Sequence, residues 1–199
     1  AMSDPNNTAQ YSKSRSRESE NYIVFWEKGY GNTAPDQLPK NDTYYVDIDD
    51  LLAKAESFYK LNVETLGFAN TPESSVNKYK GIICIVHQAE WLATGSGYDF
   101  MIPALWVNPS TCKPVGHTIA HEIGHSFQYM CFSDANNHQN SSTVNTGFHL
   151  PCGSGQAIWE QTAQWQGAQA YPNQMFSQSI GTFRASHNYA FSHEWHRYQ

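Results

Sequence analysis

"GHTIAHEIGHSFQY" (residues 116–129) sets His117, His121 and His125 four residues apart, with Glu122 between the last two. At about 100° per residue, this spacing puts the three imidazoles on one face of a helix. Val115, Ile119, Ile123, Phe127 and Met130 collect on the opposite face and read as core. Glu122 is the only formal charge on the helix over this stretch, so the histidine face is expected to line a cleft rather than form an ordinary solvated surface. Two histidines one turn apart with a glutamate beside the first, H-E-x-x-H, suit a zinc ion and a general base. The plainer reading is a packed helix whose histidines align by chance. It explains the spacing but not the uncharged polar face.

Two ligands do not complete a hydrolytic zinc site, which takes three from the protein and leaves a position for water. Geometry argues against His117 as the third, because eight residues carry it about 12 Å along the helix from His125. It is expected behind the ligands or in the cleft, and Gln128 is expected to orient a ligand or line the cleft. In the arrangement H-E-x-x-H-x-x-G-x-x-H, the Gly and final His would fall at Gln128 and Cys131, so that solution fails. Cys131 is disfavoured because hydrolytic sites seldom use thiolate. Further on, Glu160 lies in "GSGQAIWEQTAQWQ" (153–166), with Ala157 and Ala163 three residues to either side. Such small neighbours permit a second helix to approach closely. Glu160 is the favoured third ligand, with Asp134, His138 and His149 as competitors and a solvated helix glutamate as the plain alternative.

Outward from this helix, "NYIVFW" (21–26) reads as the first strand and "GIICIV" (81–86) as a buried central one. "MIPALWVN" (101–108) reads as a third strand, with Pro103 pushing it to a sheet edge. Apolar residues from Ile48 to Leu66 recur at helical spacing and stop at Gly67. The histidine helix is expected to start near Pro114, and another helix to span about 155–168. Residues 1–20 are polar and expected to be disordered. Residues 21–199 are expected to form one α+β domain, being too few for two. The aromatic end at "HEWHRYQ" suggests a piece of a longer protein.

The chain has 199 residues and a net charge of −6 without a basic stripe, which argues against a nucleic-acid partner. No apolar run reaches the ~18 residues of a membrane span. Only 15% of residues are charged, against about 25% in ordinary domains. With twelve Tyr and six Trp, this leans towards a secreted, periplasmic or cell-surface protein, with a leader removed ahead of Ala1. A monomer is expected. Any disulfide should be confined to Cys112, Cys131 and Cys152, since Cys84 lies inside an apolar strand.

"HEIGHSFQ" (121–128) is similar to the H-E-x-G-H-x-x-Q run of enhancin-like, mucin-associated peptidases, and the whole arrangement resembles a gluzincin. "AIWEQTAQW" (157–165), "ENYIVFWEKGYG" and "ATGSGYD" resemble a bacterial domain family of unknown function related to gluzincins. The resemblance implies a zincin-like fold: a small twisted sheet packed on the active-site helix, followed by a helical region carrying the third ligand. It also implies an edge strand that pairs with substrate, for which "ALWVN" (104–108) is the candidate. The activity implied is zinc-dependent cleavage of proteins, peptides or glycoproteins, with zinc on His121, His125 and Glu160 and with Glu122 as base. A transition-state donor is expected among His187, Tyr189, His193, His196 and Tyr198. Two rivals share the motif: an inactive zincin-like module that binds glycan or peptide, and a zinc hydrolase acting on other substrates.

Overall fold

The computed structural model describes residues 10–135 and 156–171, and of 156–158 only the backbone. It is α+β. Five strands, β1 (Ser16–Glu18), β2 (Tyr22–Trp26), β3 (Gly81–Ile85), β4 (Ala93–Tyr98) and β5 (Ile102–Val107), form a mixed sheet in the order β1-β2-β3-β5-β4. The inner pairs β2–β3 and β3–β5 are parallel, and both outer pairs are antiparallel. The helices are α1 (Ile48–Tyr59), α2 (His117–Ala135) and α3 (Gln156–Ala170). Among the described residues, no helix is long and apolar enough to cross a membrane.

The unbroken apolar run of β3 follows from burial on both faces. Ile83 and Ile85 enter the main core with Val24, Leu105 and Val107, under α1 and α2. Ile82 and Cys84 enter a smaller cluster on the other face with Phe25 and Ala104. Helix α1 starts where the Asp47 carboxylate accepts the Asp50 N–H at 3.0 Å, satisfying one of the free donors of the first turn. It buries Ile48, Leu51, Leu52, Ala55 and Phe58 and runs on into a π-helical turn, Lys60–Thr65.

Several expectations need correction. Residues 10–20, expected to be disordered, are ordered: β1 pairs with β2, and Tyr11 packs on the smaller cluster. Ion pairs do what little apolar surface cannot, with Arg17 meeting Asp36 at 2.5 Å and Asp49 at 2.9 Å. The strand containing Pro103 is not an edge. Pro103 stands near its start, and pairing with β3 begins one residue later, at Ala104, so the missing N–H interrupts no bond on that side. The edge is instead β4, whose glycines hid it from a β-propensity reading. Helix α2 begins at His117, three residues beyond Pro114. Cys84, Cys112 and Cys131 are all free thiols, and Cys152 lies outside the described residues. Burial pushes the Cys84 and Cys112 thiols up to about 12.

Candidate metal centre

Helix α2 is held on two sides. Ile119, Ile123, Phe127 and Met130 are fully buried towards the sheet, as their spacing requires. On another side α3 lies close enough that a Cβ on Gly124 would meet Gln166 Oε1 at 2.7 Å and the Ala163 Cα at 3.4 Å. The histidine face is therefore covered by a helix rather than fully open. His117 is 2% exposed and packs under Gly167 of α3. Burial, then the neighbouring His121, holds its pKa below the usual imidazole value. This places His117 one turn behind His121, with ring centroids 6.3 Å apart.

His121 and His125 stand edge-to-face, with ring centroids 4.6 Å apart. Both Nε2 atoms approach a single oxygen of Glu160: Oε2 lies 3.3 Å from His121 and 3.4 Å from His125. Hydrogen bonds from His121 and then His125 hold the Glu160 carboxyl well below the usual range, against the opposing effect of burial. For His125, burial pulls the pKa down, but Glu160, Gln128 and Glu122 outweigh it and the net shift is upward. The rings are nearly buried, while the Glu160 side chain is 44% exposed, so the cluster opens to water on the Glu160 side.

Two carboxylates compete to complete a ligand set. Donor atoms of His121, Glu122 and His125 lie within 4.8 Å of one another. The Glu122 carboxylate, however, is already engaged: Oε2 accepts the Gly95 N–H of β4 at 2.7 Å. Neighbouring ligands of a tetrahedral zinc with ~2.0–2.1 Å bonds stand about 3.3–3.4 Å apart. The Glu160 oxygen meets that spacing to both nitrogens. The donor set of two imidazoles and one carboxylate thus fits zinc, with the Glu122 carboxylate beside it held by the Gly95 N–H. The outer nitrogen of His125 is anchored as well, with Nδ1 2.9 Å from Gln128 Oε1. The Gln128 amide nitrogen donates to the Trp159 carbonyl at 2.9 Å.

Of the sequence-predicted residues, His121, Glu122, His125, Glu160, His117 and Gln128 come together. Asp134 does not: its carboxylate accepts from Ser74 and Ser75 at the far end of α2. His138, His149, His187, Tyr189, His193, His196 and Tyr198 lie outside the described residues. Three contributors were missed. Gly95 was hidden in a strand with no β-branched run, and "ATGSG" offered only the general signal that glycine marks close backbone approach. Gln166 and Asn62 carried no signal, since amides on helices read as surface.

An α+β chain with a helix-borne His/Glu/His cluster is the class these features define. The chain matches DUF6055, a family of unknown function, over residues 1–199 and belongs to it. No curated protein and no solved structure matches it.

Proposed function

We propose that this chain is a zinc-dependent metallopeptidase of gluzincin type, with His121, His125 and Glu160 holding the ion. One observation carries the reading: a single Glu160 oxygen stands 3.3 and 3.4 Å from two imidazole nitrogens. When bound, zinc would supply Lewis acidity, making a water easier to deprotonate and a carbonyl easier to attack. Glu122 takes the proton of the attacking water and delivers it to the leaving amine. The Gly95 N–H fixes one oxygen of that carboxylate, so the base is aimed before substrate arrives. Strand β4 is the sheet edge beside Glu122, and an extended protein, peptide or glycoprotein segment would pair there as an added strand. The zincin-like reading of the fold rests on the same layout: a mixed sheet, an active-site helix, and a following helix carrying a carboxylate.

The test is metal analysis of the chain, with mass spectrometry of products from mixed proteins and mucin glycopeptides. One zinc per chain and new peptide termini, both lost on chelation, are expected. Zinc without products would favour a binding module, and products without new peptide termini would favour another hydrolase. Absence of zinc binding would remove the proposal.

A further inference from the structure

Behind His125 runs a chain of amides that no simple packing requirement explains. Gln128, Gln166 and Asn62 are 2%, 1% and 1% exposed, and they come from α2, α3 and the π-helical turn after α1. Burying an amide is costly unless its hydrogen bonds are made, and an aliphatic side chain would fill this junction more cheaply. Here the amides bond to one another. Asn62 Nδ2 donates to the Phe58 carbonyl at 2.8 Å. Gln166 Nε2 donates to Asn62 Oδ1 at 2.5 Å. Gln128 Nε2 lies 3.4 Å from Gln166 Oε1 and 2.9 Å from the Trp159 carbonyl.

The direction of the chain is fixed at both ends, because a backbone carbonyl can only accept. Phe58 requires the nitrogen of Asn62, which leaves the oxygen for Gln166. Gln166 must then offer its nitrogen to Asn62 and its oxygen to Gln128. Gln128, pinned as a donor by Trp159 as well, has only Oε1 left for His125. An acceptor facing Nδ1 requires a proton there, so once the ring gives up its other proton, as metal binding demands, the lone pair is on Nε2, the atom that faces Glu160.

We propose that Gln166 and Asn62 are positioning residues for this site, acting through Gln128 to fix His125 in its Nδ1–H tautomer. The inference rests on the metal-centre reading for its purpose but not for its geometry. The π-helical turn belongs to the device because it carries Asn62, the link to the Phe58 carbonyl; such turns recur at functional sites. Gly124 belongs to it too, since any side chain there would displace the Gln166 amide.

The test uses the full chain and two readouts. Nitrogen-15 imidazole spectra of the metal-free protein at alkaline pH report the His125 tautomer, and competition with a chromophoric chelator reports zinc affinity. Gln128→Met should lose the Nδ1–H preference and about 10–100-fold in zinc affinity. Gln166→Met and Asn62→Leu should shift the tautomer ratio less and lower affinity on the order of threefold or more, as for neighbours in one hydrogen-bond network. Gln166→Glu keeps the oxygen that accepts from Gln128 but puts a second acceptor where the nitrogen donated to Asn62, so its tautomer ratio should fall between those of Gln166→Met and the parent. If Gln166→Met and Asn62→Leu lose stability while tautomer and affinity stay at parent values, the two residues only pack and the proposal is overturned. If the parent itself binds no zinc, the metal reading fails, and the tautomer arm still decides the relay.

Discussion

The two sides of α2 are built on different principles. Towards the sheet, Ile119, Ile123, Phe127 and Met130 are fully buried, and polar contacts such as Gly95 N–H to Glu122 are set amid apolar packing. Each such side chain contributes about 1.5–3 kcal/mol by leaving water. Towards α3, the contacts are Gly124 under Gln166, His117 under Gly167, Gln128 on Trp159, and two imidazoles on Glu160. A hydrogen bond there adds only about 0.5–1.5 kcal/mol net, whereas a buried partner left unpaired costs about 1–3 kcal/mol. The sheet side therefore supplies stability and tolerates conservative apolar change. The α3 side supplies geometry through polar contacts whose partners are costly to leave unpaired. Substitutions on the two sides should separate loss of folding from loss of metal.

The largest effect should come from Glu122, which meets the sheet and is the proposed base. Glu122→Gln is expected to lower turnover by about 10²–10⁴-fold, the usual worth of a positioned acid or base, with zinc content unchanged. Peptide turnover alongside metal analysis checks both halves. Turnover near the parent rate would remove the base from the mechanism.

Next comes Glu160, on the α3 side. Glu160→Gln should weaken zinc by more than the about 10–100-fold seen when only an outer partner is lost, and the metal-free protein should lose some thermal stability too, because both imidazoles hold that carboxylate's pKa down. His138→Ala and His149→Ala should each retain one zinc per chain. The ligand assignment fails if either histidine variant loses the metal while Glu160→Gln keeps it.

Gly95→Ala probes the sheet side alone. The added Cβ would lie 1.8 Å from the Glu122 backbone oxygen, and helix backbone has no flexible end to swing away. A loss of about 1–3 kcal/mol or more is expected from such overpacking, read as a lowered denaturation midpoint. Turnover should fall with it, because the amide that aims Glu122 moves, while zinc affinity in the folded fraction should hold. A parallel fall in affinity would mean that the two sides of α2 are not separable.

The asymmetry also explains what the sequence could disclose. Apolar periodicity is strong on the sheet side, so Ile119, Ile123, Phe127 and Met130, the α1 stripe, and the doubly buried β3 were all legible. H-E-x-x-H was legible because its chemistry demands fixed residue types at fixed spacing. Glu160 was only favoured, since one glutamate on a helix has no local mark of a ligand; its approach to His121 and His125 depends on α3 returning to α2. Gly95, Gln166 and Asn62 were illegible for a related reason. Their partners lie 27, 38 and 104 residues away, and glycine and amides are equally at home in loops and on exposed helices. Strand β1 escaped notice because ion pairs and ladder bonds, not apolar content, hold it.

The smallest effect should come from Asp134, at the end of α2 remote from both histidines. Its carboxylate accepts from the hydroxyls of Ser74 and Ser75 and from the Ser75 N–H at 3.3 Å. Asp134→Asn keeps one accepting oxygen and removes the charge that strengthens these bonds. It also removes a negative charge from a helix C-terminus, where the macrodipole disfavours it by about 0.3–1 kcal/mol. The two changes oppose each other, so the net loss of stability should stay below about 1 kcal/mol, the scale of a single hydrogen bond. Zinc content should be unaffected. Denaturation and metal analysis of this variant check the pair of expectations together. A lost zinc would return Asp134 to the ligand set and break the division of labour between the two sides of the helix.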